Sequence, residues 1–160
     1  MRNAVLLDTS FFLRFLNEQD PLFAHADGYF RYFIQQDMPM LMSTISVAEY
    51  CVKGELQDLP LRNLQILPFN VMHAQRCGEF ARVVFSHRNR LDIISRAIIP
   101  NDTKLFAQAD VETSVQYYLS SDVESQKIYG LLRTQQANPK FEFLNLRVPP
   151  SETFGILALR

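Results

Sequence analysis

AVLLDTSFFLRFL, residues 4–16, sets one acid between two apolar runs: Asp8 follows Val5, Leu6 and Leu7 and precedes Thr9, Ser10, Phe11, Phe12 and Leu13. Residues 3–8 read as a short buried strand, continuous, β-branched in part and ending at a polar turn. Ser10 to Leu16 then reads as a helix that is apolar nearly all round, hence buried or in an interface. A carboxylate at that junction has two readings. It caps the helix, or it belongs to a metal site.

The same strand–helix rhythm continues along the chain. From Leu22 to Asp37 the apolar positions Leu22, Phe23, Ala26, Tyr29, Phe30, Phe33 and Ile34 keep helical spacing. MPMLMS (38–43) is a second apolar strand opened by a proline, and SVAEYCVKG (46–54) a helix with Gly54 near its C-terminal end. After a polar stretch at Gln57–Arg62, LQILPF (64–69) reads as a third strand. Asn70 would cap a long amphipathic helix with Val71, Ala74, Cys77, Ala81, Val84 and Phe85 on one face. RNRLDIISRAIIP (88–100) is ambiguous between loop and short helix, and residues 101–115 read as a helix opened by a cap at Asn101 or Asp102. QYYLS (116–120) and FEFLNL (141–146) supply a fourth and a fifth strand, and the last dozen residues, with Pro149–Pro150, read as a tail packing back on the body. This order predicts an α/β fold: a three-layer α/β/α sandwich around a mostly parallel central sheet of about five strands. At 160 residues, one domain over 1–160 is expected.

Composition narrows the function. The apolar fraction of 48% and charged fraction of 21% are those of an ordinary globular chain. Thirteen Phe and six Tyr with no Trp predict an aromatic core. A net charge of −1 argues against a protein that grips a long duplex through its phosphates. Cys51 and Cys77 are too far apart for a CxxC pair and too few for a disulfide framework, and both sit in apolar-patterned segments. That favours a reducing, cytoplasmic compartment. The N-terminal apolar stretch is too short for a signal peptide, and no run approaches the roughly 18 apolar residues that span a membrane.

Ligands of open parallel sheets bind beyond the carboxyl ends of the strands, so the polar residues there matter most. Asp8 leaves the first strand, Glu49 lies in the helix after the second, Asp102 starts the helix feeding the fourth, and Asp122 leaves the fourth. Each has a bland reading. Asp8, Asp102 and Asp122 suit helix caps, and Ser46 with Glu49 fits a capping box. A cap need only sit at its own helix end, whereas these four would all reach one sheet edge. Two bare carboxylates about 4 Å apart repel by about 4 kcal/mol at an effective dielectric near 20, so such a cluster raises pKa values or recruits cations. Oxygen ligands without thiolate or imidazole select Mg²⁺ or Mn²⁺ over zinc. Such ions polarise phosphoryl oxygens and generate hydroxide for in-line attack on a phosphodiester. His25, His73 and His87 accompany no nucleophile motif, and no glycine-rich phosphate loop is present.

In these segments the chain resembles the PIN domain, the nuclease fold of VapC-type toxins. VLLDTSFFLRFL is similar to that family's opening strand and first acid, STISVAEYCVKG to its second block, IIPNDTKLFAQA to its third and YLSSD to its fourth. LRVPPSETF resembles its C-terminal strand and proline–acid–Phe ending. The resemblance implies that Asp8, Glu49, Asp102 and Asp122 hold one or two Mg²⁺ or Mn²⁺ ions, with Ser10 and Ser120 as supporting hydroxyls. It also implies endonucleolytic cleavage of RNA, a homodimer and inhibition by an antitoxin protein. An inactive PIN-like module binding RNA or protein, or a housekeeping RNA-processing nuclease, fits the same residues. Two features depart from the pattern: Asp110 stands where small or apolar residues are commoner, and the stretch from Asp122 to Phe141 is long. Arg88, Arg90 and Arg96 read as a solvated charged loop or an approach for RNA.

Overall fold

All four side chains of β1 (Ala4–Leu7) are buried, Ala4 and Leu6 in one apolar cluster and Val5 and Leu7 in another. Alternate residues of a strand face opposite ways, so a strand apolar throughout needs cover on both sides. In the computed structural model, which describes residues 1–87 and 98–155, helices supply that cover. β1 joins β2 (Met40–Ser43), β3 (Leu64–Leu67), β4 (Val115–Ser120) and β5 (Glu142–Asn145) in an all-parallel sheet of order β3-β2-β1-β4-β5. On one face α1 (Thr9–Phe15), α2 (Phe23–Gln35) and α3 (Thr44–Tyr50) pack Phe11, Phe12, Tyr29, Phe33 and Tyr50 against Val5, Leu7, Met42 and Leu119. On the other, α4 (Val71–Ser86), α5 (Ile98–Val111) and α6 (Val123–Thr134) pack Phe80, Val84, Phe106, Ile128 and Leu132 against Ala4, Leu6 and Tyr118. This is the expected three-layer α/β sandwich, with the sheet entirely parallel.

The chain runs outward from β1 through β2 to β3, then returns to the other side of β1 for β4 and β5. That reversal leaves a crevice beyond the carboxyl ends of β1 and β4, the place where such sheets take ligands. The C-terminal segment packs back on α2 of the first helical layer, as expected, up to Gly155; residues 156–160 lie outside the described residues. α7 (Pro150–Thr153) follows Pro149, and Phe154 stacks on Tyr32 with ring centroids 4.0 Å apart. Tyr29 donates its hydroxyl hydrogen to Val148 O (2.8 Å) and pairs with Thr153 Oγ1 (2.6 Å).

Several local expectations are corrected. The buried face of α4 is His73, Phe80 and Val84, with Cys77 at its margin, whereas Val71 and Phe85 are exposed. The polar His73 sets that phase: Asn70 N donates to Nδ1 (3.0 Å), so the ring proton sits on Nε2, 2.7 Å from Glu112 Oε1. Cys51 is exposed at the end of α3 rather than packed inside. α5 starts at Ile98, four residues before Asp102, because a proline such as Pro100 is tolerated in a helix's first turn. Residues 88–97, including Arg88, Arg90 and Arg96, lie outside the described residues. Among the described residues no helix is long and apolar enough to cross a membrane.

Candidate active site

Parallel strands end on one edge, so the residues that follow them meet there. Asp8 comes directly after β1, where its N–H donates to Leu119 O (3.0 Å) and carries the β1–β4 ladder one residue further. It occupies the N-cap position of α1 but makes no side-chain cap bond. Instead Oδ2 accepts from Ser10 Oγ (2.7 Å) and Ser120 Oγ (2.8 Å). The cap explanation therefore fails for its side chain.

Glu49 lies in the last turn of α3, and Thr9 Oγ1 donates to its Oε1 at 3.2 Å. The capping box expected from Ser46 and Glu49 does not form. Strand β2 runs directly into Ser43, which is the N-cap and accepts from Ile45 N (3.0 Å), while Ser46 is interior and its buried Oγ has no partner. Asp102 is likewise no cap, since it lies inside α5. It is 6% exposed, with Oδ1 accepting from Ser125 Oγ (2.6 Å) and Oδ2 buried without a partner. Asp122 both caps a helix and lines the common cavity. Its Oδ1 caps α6 by accepting from Glu124 N (2.8 Å) and Ser125 N (3.4 Å).

That cavity, of ≈ 430 Å³, is lined by all four acids together with Thr9, Ser10 and Asn101, and by Leu13 and Leu105 on its apolar side. Its electrostatics follow from burial and like charge. Burial, then the charges of Asp8, Asp122 and Glu49, push the Asp102 carboxyl up to about 8 against the opposing hydrogen bond from Ser125. Burial and the Asp8 charge also raise Glu49, partly offset by Thr9 and Lys104. Tyr118, fully buried, is raised well above its ordinary value, first by burial and then by the charges of Asp8 and Asp102.

The four carboxylates do not form a ready-made cage. Among the described residues, no three His, Cys, Asp or Glu side chains stand close enough together to hold a metal ion as they are arranged. Three of the acids are turned onto hydroxyls and the fourth onto backbone amides. The chemistry of the set nevertheless fits a hard divalent cation: oxygen donors alone, a buried carboxylate oxygen lacking a donor, and two carboxyls raised by burial and then by neighbouring charge.

The histidines and Asp110 have structural partners. His25 Nδ1 is 2.9 Å from Leu146 O and His87 Nδ1 is 2.9 Å from Val83 O. Asp110, out of place on an apolar pattern, is buried but satisfied by Arg76 Nε (2.7 Å) and Lys140 N (2.6 Å). Sequence reasoning missed Thr9 and Ser125 and took Asn101 only as a cap. Thr9 adjoins Asp8 and so had a local signal. Ser125 had none, because its contact with Asp102 is tertiary.

No family model matches the sequence, and no curated protein matches it. In fold the chain is similar to one in the crystal structure of VapBC2 from Rickettsia felis bound to a DNA fragment from their promoter. That match has a TM-score of 0.58 and 18% identity, covering 89% of this chain and 98% of the other. It is also similar to a chain of the DNA-bound VapBC from Salmonella typhimurium, at a TM-score of 0.53 and 14% identity, covering 91% and 99%. The fold is therefore that of a VapC-like PIN domain.

Proposed function

We propose that this protein is a divalent-metal-dependent endoribonuclease, the toxin of a toxin–antitoxin pair, acting in the cytoplasm as a homodimer that folds as one domain over 1–160. The observation that carries this reading is the convergence of Asp8, Glu49, Asp102 and Asp122 on one cavity, with Asp102 Oδ2 buried and unpartnered. Those four residues would hold Mg²⁺ or Mn²⁺. When bound, such an ion polarises phosphoryl oxygens and activates water for in-line attack on a phosphodiester.

The chain's own residues prepare the pocket for that chemistry. Ser10 and Ser120 fix the Asp8 carboxylate, Thr9 holds Glu49 toward the crevice, and Leu13 and Leu105 form an apolar wall. No side-chain nucleophile is required. The toxin assignment is supported by likeness in fold to chains from two DNA-bound VapBC complexes. An antitoxin peptide covering the acidic pocket is the partner this implies.

The test is cleavage of a mixed-sequence RNA with Mn²⁺ or Mg²⁺ against excess chelator. Cleavage in metal, absent in chelator and abolished by Asp102→Asn in a folded chain, is the expected result. Metal-independent cleavage, or full activity in that variant, overturns the assignment. RNA binding without cleavage in either metal favours the binding-module reading.

A further inference from the structure

We propose that Ser125 is a positioning residue that yokes the third and fourth acids of the pocket into one cation-binding wall. The proposal rests on the divalent-metal reading and deepens it. Ser125 is fully buried in the first turn of α6, one residue beyond Glu124. Its amide donates to Asp122 Oδ1 (3.4 Å) and its hydroxyl to Asp102 Oδ1 (2.6 Å). One residue thus grips carboxylates from two elements that are remote in sequence. Serine in a helix commonly returns its hydroxyl to its own backbone; here it reaches a neighbouring helix instead.

Two consequences follow. With Oδ1 engaged, the carboxyl plane of Asp102 is fixed, and Oδ2 is left buried with no donor. A buried carboxylate oxygen is costly to leave unsatisfied, so the arrangement suits a site completed by a cation. Ser120 forms the matching link on the other side, accepting from Asp122 N (3.0 Å) and donating to Asp8 Oδ2 (2.8 Å). Hydrogen bonds therefore link the Asp8 carboxylate through Ser120 to the backbone of Asp122, and the Asp122 carboxylate through Ser125 to that of Asp102. The orientation of Asp102 is set by α6 rather than by its own helix.

Removing a partner that orients a metal ligand typically weakens metal affinity by about 10–100-fold. The experiment titrates the full chain with Mn²⁺ and follows free Mn²⁺ by electron paramagnetic resonance, with a metal-free thermal melt to establish folding. Ser125→Ala is expected to melt cooperatively and to bind Mn²⁺ about 10-fold more weakly, whereas Ser125→Thr, which keeps the hydroxyl, stays within about threefold of the parent. Affinity within about twofold of the parent in Ser125→Ala, or an equal loss in Ser125→Thr, overturns the yoke. If the alanine chain does not fold, Ser125→Cys, close in volume with a weak donor, decides by the same margins. A parent chain that binds no Mn²⁺ overturns the metal reading itself; a parent that binds while Ser125→Ala matches it overturns the yoke alone.

Discussion

Burying Asp102 beside three other acids gives the metal-free protein a pH dependence that needs no substrate to observe. The folded chain keeps the Asp102 proton up to about 8, whereas an ordinary aspartate releases it near 3.8. Between those values the folded state binds more protons than the unfolded one, so stability falls as pH rises through the window. Glu49, also raised, acts in the same direction. Urea unfolding at about pH 5 and about pH 8 in chelator is expected to show a loss of roughly a few kcal/mol. Asp102→Asn should flatten most of that slope while keeping the acceptor for Ser125. A parent whose stability rises over the same interval contradicts the crowding of these acids. Cation binding requires the ionised carboxylate, so Mn²⁺ affinity is expected to climb until about pH 8.

At the scale of elements, the phase of α4 separates pattern from packing. The apolar pattern favours Val71, Ala74, Cys77, Ala81, Val84 and Phe85, and of these Val84 is buried; the helix is turned so that His73 and Phe80 join it in the core while Val71 and Phe85 face outward. Phe80 is fully buried beneath the Arg76 guanidinium, 4.3 Å from the ring centroid, whereas Val71 is 80% exposed. Phe80→Ala is expected to cost about 3–5 kcal/mol and Val71→Ala to stay within about 0.5 kcal/mol, both by denaturant unfolding. Equal costs would restore the phase read from the sequence. That reading failed because a histidine wired to Asn70 and Glu112 behaves as a core residue, and hydropathy alone gives no sign of the wiring. The start of α5 was hidden similarly, since Pro100 looks like a boundary until the helix is seen to begin before it. With that start misplaced, Asp102 looked like a cap. Asp8 was legible for the opposite reason: a short run apolar on both faces and ending in an acid has few places to go.

Across the whole molecule, topology brings these separate residues to one cavity. The order β3-β2-β1-β4-β5 puts the chain reversal beside β1 and β4, and Asp8 and Asp122 are the acids that leave those two strands. Glu49 and Asp102 arrive from helices in the two opposite layers, so the pocket is closed by both halves of the sandwich. The sequence order of strands and acids made this architecture, and the meeting of the four acids at one cavity, legible. Of the hydroxyls that hold them, Ser10 and Ser120 were legible only through the family resemblance, while Thr9, although next to Asp8, and Ser125 were not legible. Under the proposed function, a net charge of −1 suits binding of a short single strand through local contacts rather than a long duplex through phosphate pairing. The most direct measurement is anomalous diffraction from crystals of the protein soaked in Mn²⁺. A Mn²⁺ peak among the carboxylates of Asp8, Glu49, Asp102 and Asp122, lost in crystals of Asp102→Asn, is the predicted result. A pocket free of anomalous density at millimolar Mn²⁺, or a peak bound elsewhere on the molecule, would contradict it.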